Sequence, residues 1–224
     1  MFGSPDWVWW RFWILPRLRD PEGYDRSAEF LSKLSKADAA DGIARAMYGS
    51  GARDVFVYRF DWDEEPTVLG SDLSRMLGAA HGMDIPFVFG NFVFGEGTDR
   101  IFTAENEPGR LALSAAMMSY WTQFAKSGRP VTGAGDAVPE WPAWDEGGRF
   151  LVLDTEAGGG IRPSAETVSR EGLLAAIESD PRLADRRLRC IVYHDLARWG
   201  EALERSEYDV KCPEHPFDGY PWHG

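Results

Sequence analysis

A chain of 224 residues, 44% of them apolar, is long enough to bury a core, as one domain or a large piece of one. Its 24 basic and 36 acidic side chains leave a formal charge of −12, which repels nucleic-acid phosphates and anionic membrane surfaces, so neither is expected as a partner.

The first apolar stretch, residues 7–15, is interrupted by Arg11, has no basic region before it and is far shorter than the roughly 20 residues of a membrane span. The reading is neither signal peptide nor anchor, with a cytoplasmic location favoured. Residues 25–48 carry Phe30, Leu31, Leu34, Ile43, Ala44 and Met47 among charges, the pattern of one or two amphipathic helices with a break near residues 38–41. Residues 49–53 read as a turn. The run Val55-Phe56-Val57-Tyr58-Arg59-Phe60 is β-branched and aromatic, as expected of a buried strand in a parallel or mixed sheet. The acidic run 61–65, ending at Pro66, is expected to leave the sheet for solvent, and residues 69–80 to be loop with some helix. His81 follows in a turn bracketed by Gly78 and Gly82.

From residue 109 to 126 the spacing of Leu111, Leu113, Ala115, Met118, Tyr120, Trp121 and Phe124 predicts a helix, stopped by Gly128 and Pro130. Residues 131–144 form a loop rich in Pro, Gly and Trp, and residues 150–153 a short strand. Gly158-Gly159-Gly160 reads as a flexible linker, residues 164–208 as helical, and the last dozen residues as irregular. Cys190 and Cys212 are too few for a disulfide scaffold and lack the spacing of a zinc site. They remain compatible with a single bridge. Aromatic residues at 13%, with ten Trp, suit aromatic-lined pockets as well as ordinary core filling.

Histidine is scarce, and only His81, His194, His215 and His223 offer acid/base chemistry near neutral pH. His194, beside Asp195 in a helical stretch, reads as a partly exposed structural histidine, and His215 and His223 belong to a Pro-rich tail. His81 lies in a Gly-flanked loop after the strongest strand, where open α/β sheets gather their reactive groups. On the residues alone, both a catalytic and a structural role stand for it.

The segment Gly78-Ala79-Ala80-His81-Gly82-Met83-Asp84-Ile85-Pro86-Phe87-Val88-Phe89-Gly90 resembles the histidine segment of the type-B carboxylesterase and cholinesterase family. Val57-Tyr58-Arg59-Phe60 resembles the strand before that segment, and residues 117–130 the helix after it. Trp141-Pro142-Ala143-Trp144 with residues 150–153 resembles the family's closing loop and strand. The resemblance covers about residues 50–155 and implies an α/β fold, the C-terminal portion of an α/β-hydrolase, incomplete, with a mixed, mostly parallel sheet flanked by helices. Residues 1–160 are then that portion, and 161–224 a helical extension with an irregular tail.

The resemblance implies that His81 is the general base toward a serine hydroxyl and then the general acid toward the leaving alcohol, in an enzyme needing no cofactor and no metal. It also implies chain order serine, acid, histidine. No Gly-x-Ser-x-Gly elbow and no His-Gly-Gly-Gly oxyanion segment occurs in the chain, and the family's Glu-bearing acid motif does not precede His81, so Met1 reads as an internal methionine. Asp84 reads as a structural hydrogen-bonding group rather than the orienting acid. The cluster Asp61, Asp63, Glu64 and Glu65 reads as a solvated loop rather than a metal site. Phe87, Phe89, Phe92 and Phe94 alternate after His81 and suit either a pocket wall or a core.

The expected function is that of a serine carboxylesterase fragment, acting on a small-molecule carboxylic ester through an acyl-enzyme in the complete enzyme and inactive alone. One rival is a non-catalytic interaction protein on the same fold, against which the retained His81 weighs. Another is half of a split esterase, with the N-terminal part supplied in trans.

Overall fold

A computed structural model describes residues 7–11, 15–93, 95, 97–131, 138–199 and 203–218. In chain order, Val8–Arg11 (β1) pairs antiparallel with Leu15–Leu18 (β2), Val8 opposite Leu18. The helix Pro21–Ser35 (α1) starts where Asp20 accepts the Gly23 N–H at 2.9 Å and Pro21 takes a position that needs no donor. It buries Tyr24, Ser27, Phe30 and Leu34, spaced three and four apart on one face.

The expected break near residues 38–41 is a change of winding instead: Lys36–Gly42 is a π-helical segment leading into Ile43–Gly49 (α2). Asp41 explains its persistence. Its buried carboxylate accepts two bonds from Lys36 Nζ (2.9 and 2.7 Å) and one from the Val168 N–H (2.9 Å), so a side chain that reads as a breaker is held inside by its partners.

The aromatic run 55–60 contributes only Tyr58–Phe60 (β3) as strand. The Val55 carbonyl is taken by the Trp144 N–H (2.7 Å), and the Val57 carbonyl serves both the Leu151 N–H (3.0 Å) and the Trp141 indole (2.9 Å). Residues 69–80, expected as loop with some helix, begin in a hairpin of Thr67–Val68 (β4) and Ser71–Asp72 (β5), whose turn residues Leu69 and Gly70 both have positive φ (49° and 79°), and then supply that helix. Leu73–Met76 (α3) follows, capped by Asp72.

Ile85–Phe89 (α4) precedes the long helix Glu107–Ser127 (α5), which ends as its sequence predicts, on left-handed Gly128 with Pro130 beyond. Arg149–Leu153 (β6) and Arg162–Ala165 (β7) are paired strands, so residues 158–160 are not a linker. Glu156–Gly158 is a 3-10 turn in which a Cβ on Gly158 would lie 2.4 Å from both carboxylate oxygens of Asp154. Arg170–Ser179 (α6), Arg186–Trp199 (α7) and Arg205–Lys211 (α8) supply the expected helices of the tail. Ser164 and Ala165, read as helical, belong instead to β7.

The chain divides into two units, residues 1–43 with 167–224, and residues 44–166. The first contains the β1–β2 hairpin, α1 and the tail helices, with α1 packed against α7. Its interior holds Trp7, Phe30, Leu34, Ile177, Ile191 and Leu196. Cys190 on α7 and Cys212 after α8 are joined by a disulfide, which resolves the pairing that the sequence leaves open.

The second unit is α/β. Its sheet has the order β3-β6-β7, with β3 parallel and β7 antiparallel to β6. Residues Phe150 to Leu153 of β6 are buried without alternation, as in a strand covered on both faces. Trp62, Met83, Phe87, Leu113, Met117, Tyr120, Trp141 and Leu151 are among the side chains that form its core.

Candidate functional site

His81 lies in the second unit, on the turn between α3 and α4. Gly78 (φ 49°) and Gly82 (φ 84°) take left-handed backbone on either side of it, and a Cβ on Gly78 would stand 3.2 Å from the Ser74 carbonyl. The loop is tied by its own backbone. The Met83 N–H donates to the Ala80 carbonyl at 3.0 Å, and the Ile85 N–H to the Gly82 carbonyl at 3.2 Å. His81 itself is exposed.

Asp84, three residues on, is half-buried and accepts a 2.7 Å hydrogen bond from the Tyr58 hydroxyl. This bond ties the histidine turn to β3, the strand that bears Tyr58. Burial, and then the bond to the Asp84 carboxylate, push the Tyr58 phenol well above its ordinary range. Asp84 is therefore engaged with the sheet, as the structural reading expects.

The aromatic segment after His81 does not form one wall. In helical α4 the side chains of Phe87 and Phe89 diverge: Phe87 is fully buried, while Phe89 is 75% exposed. The Phe87 carbonyl accepts from Ser114 Oγ on α5 at 2.7 Å, anchoring the helix behind the turn. Phe92 packs edge-on against Phe87 and Phe102, and Phe94 lies outside the described residues. Elsewhere in the unit, Phe56, Tyr58, Tyr120, Trp121, Phe124, Pro130 and Trp141 line an apolar cleft of about 170 Å³. Ligand sites span roughly 300–1,000 Å³, so this cleft is small for one.

The acidic run is not the solvated loop that its composition implies. Asp61 pairs with Arg59 through two 2.7 Å bonds, and Glu64 accepts from the Trp62 indole (3.2 Å) and from Thr155 Oγ1. Glu65 is 5% exposed, and neither carboxylate oxygen has a hydrogen-bond partner among the described residues. Burial, with Asp63, Asp72 and Glu64 nearby, pushes its pKa up to about 8. Nothing in the sequence separates Glu65 from its acidic neighbours; in the fold it is buried, as is Trp62 three residues before it.

In the first unit His194 is 2% exposed, which corrects the reading of a partly exposed histidine. Its Nε2 lies 3.0 Å from the Phe217 carbonyl, and its Nδ1 lies 3.7 Å from Asp195, whose other oxygen accepts from the Trp7 indole at 3.1 Å. His215 is half-buried beside the disulfide, and His223 lies outside the described residues. Among the described residues, the histidine, cysteine and carboxylate groups close enough to share a metal ion are Cys190, Glu214 and His215, remote in sequence from the acidic run. Among the described residues, no helix is long and apolar enough to cross a membrane.

The model of the carboxylesterase family matches residues 22–168, and the chain belongs to that family. It is 36% identical over 115 residues to the para-nitrobenzyl esterase of Bacillus subtilis (strain 168), covering 51% of this chain and 21% of the relative. With the human (Homo sapiens) cocaine esterase it shares 36% identity over 100 residues, 45% of this chain and 16% of the relative. The rat (Rattus norvegicus) acylcarnitine hydrolase is 34% identical over the same length and shares. The chain thus spans between 16% and 21% of the length of these relatives. Among solved structures, a PNB esterase matches with 32% identity and a TM-score of 0.37 over 50% of this chain and 19% of its own. A Geobacillus stearothermophilus carboxylesterase matches with 29% identity and a TM-score of 0.39, over 55% and 22%.

Proposed function

We propose that this chain contributes the histidine of a serine carboxylesterase, with His81 as general base in acylation and general acid toward the leaving alcohol. The observation that carries the reading is the family match over residues 22–168, which includes the His81 turn. Two features support it. The imidazole is exposed on a turn braced by Gly78 and Gly82, and Asp84 is bonded to Tyr58, so the loop holds its shape without enlisting the histidine. The substrate is a small-molecule carboxylic ester.

In this reading the serine, its oxyanion hole and the orienting acid come from another polypeptide segment, whether joined to this one or supplied in trans. A histidine lacking a nucleophile performs only weak general-base hydrolysis, and one lost oxyanion donor alone lowers turnover by about 10²–10³-fold. The chain alone is therefore expected to give no burst with an activated aryl ester and no covalent adduct with a serine-directed phosphonate. Stopped-flow absorbance and intact-mass spectrometry measure the two. A stoichiometric adduct on one of this chain's serines would show a self-sufficient site and overturn the reading.

A further inference from the structure

We propose that Cys190, Cys212, Glu214 and His215 form a binding site for a zinc-like transition-metal ion when the Cys190–Cys212 bond is reduced. Cys190 comes from α7. The other three come from one tight turn after α8: the Cys212 N–H bonds to the Tyr208 carbonyl at 2.8 Å, and the His215 N–H bonds back to the Cys212 carbonyl at 3.0 Å. The Tyr208 hydroxyl pins the turn by donating to the His215 carbonyl at 2.8 Å. The turn thus aims a thiol, a carboxylate and an imidazole at the cysteine of the neighbouring helix.

The ligand atoms of Cys190, Glu214 and His215 all lie within 4.8 Å of one another, and Cys212 is bonded to the first of them. Tetrahedral zinc with Zn–S and Zn–N bonds of about 2.3 and 2.0 Å needs donors about 3.3–3.8 Å apart, so Cys190, Glu214 and His215 close by about 1 Å, and the Cys212 sulfur, freed by reduction, rotates in to complete the shell. Two sulfurs, one imidazole nitrogen and one carboxylate oxygen suit zinc rather than calcium or magnesium, which take oxygen ligands. Both sulfurs are buried, His215 is half-buried and Glu214 is exposed, so an ion enters from the carboxylate side. Glu214 also binds Arg186, and a carboxylate has lone pairs enough for both.

The chemistry balances. Two equivalents of an external thiol reduce the disulfide to two cysteine thiols and leave as their own disulfide. The dication then displaces two protons to give two metal–thiolate bonds. The same turn is fastened to α7 covalently in the oxidised state and through the ion in the reduced state.

The inference involves only the first unit and is independent of the esterase reading. The full chain, reduced with a phosphine and kept without oxygen, is titrated with Co²⁺ alone while helicity is followed by circular dichroism. One cobalt per chain is expected, with thiolate-to-cobalt charge transfer and intense tetrahedral d–d bands. The oxidised chain should give neither band. His215→Ala, which retains the disulfide for folding, should weaken cobalt binding by about 100-fold or more once reduced. Cys212→Ser should remove most of the charge-transfer band. A folded, reduced chain that takes no cobalt, or a His215→Ala variant that binds unchanged, would overturn the proposal. So would a chain that unfolds on reduction and is not refolded by the ion.

Discussion

At the scale of single residues, the turn that presents His81 depends on Asp84 as a fixing group. The Tyr58–Asp84 bond is part-buried and joins a phenol to a carboxylate, the kind of bond that contributes about 1.5–3 kcal/mol. Tyr58→Phe and Asp84→Asn should each lower stability by about 1–2 kcal/mol, and the double variant by less than their sum. Urea denaturation of the four proteins measures the coupling, and additive losses would show that the bond does no work. Glu65 acts through pH. Its folded pKa, near 8, lies above the ordinary carboxylate value, so its stability contribution is fully present below about pH 4.5. Between there and pH 8 the unfolded chain releases the proton that the folded chain keeps, and that stability is lost. Glu65→Gln should flatten this decline and stabilise the protein at pH 8 by a few kcal/mol, on the order of 1.4 per pKa unit. An unchanged slope of melting temperature against pH would place the buried charge elsewhere.

At the scale of elements, what was legible in the sequence was local periodicity and its stops. Helix α5 and its Gly128 end follow from apolar spacing and from the one residue at home in left-handed backbone. The edges of the aromatic strand were not legible, because they depend on Trp141 and Trp144 reaching back over eighty residues to take its carbonyls. The disposition of Phe87 and Phe89 was hidden likewise, since alternating aromatics suit a pocket wall or a core alike and the packing of α4 against α5 decides which side chain is buried. The triple glycine shows the same limit. Composition makes it a linker, whereas Gly158 has no side chain because the Asp154 carboxylate fills the space a Cβ would need. Gly158→Ala should therefore destabilise the second unit by about 1–3 kcal/mol, the usual range for overpacking. The equivalent change at Gly128, where an added Cβ would meet nothing within 4 Å among the described residues beyond its chain neighbours, should act through its left-handed φ alone. Calorimetry of the two variants separates the mechanisms, and a neutral Gly158→Ala would mean that Asp154 swings away freely.

At the scale of the whole molecule, the chain joins two units of different character, and the family match spans parts of both. The His81 turn was legible because its motif is contiguous. The donors around the disulfide were not, because Cys190 lies 22 residues from Cys212 and no spacing rule connects them. The central claim concerns what the His81 turn does once a serine faces it. The direct measurement is turnover of an aryl ester by this chain fused behind the N-terminal part of a family esterase that supplies serine, oxyanion hole and acid. In that fusion, His81→Ala should lower kcat by about 10⁴-fold or more with folding intact by circular dichroism, because triad members act as a unit. Asp84→Asn should leave kcat within about tenfold, far from the 10⁴-fold loss expected of an orienting acid. Near-normal turnover after His81→Ala in a folded fusion would contradict the account.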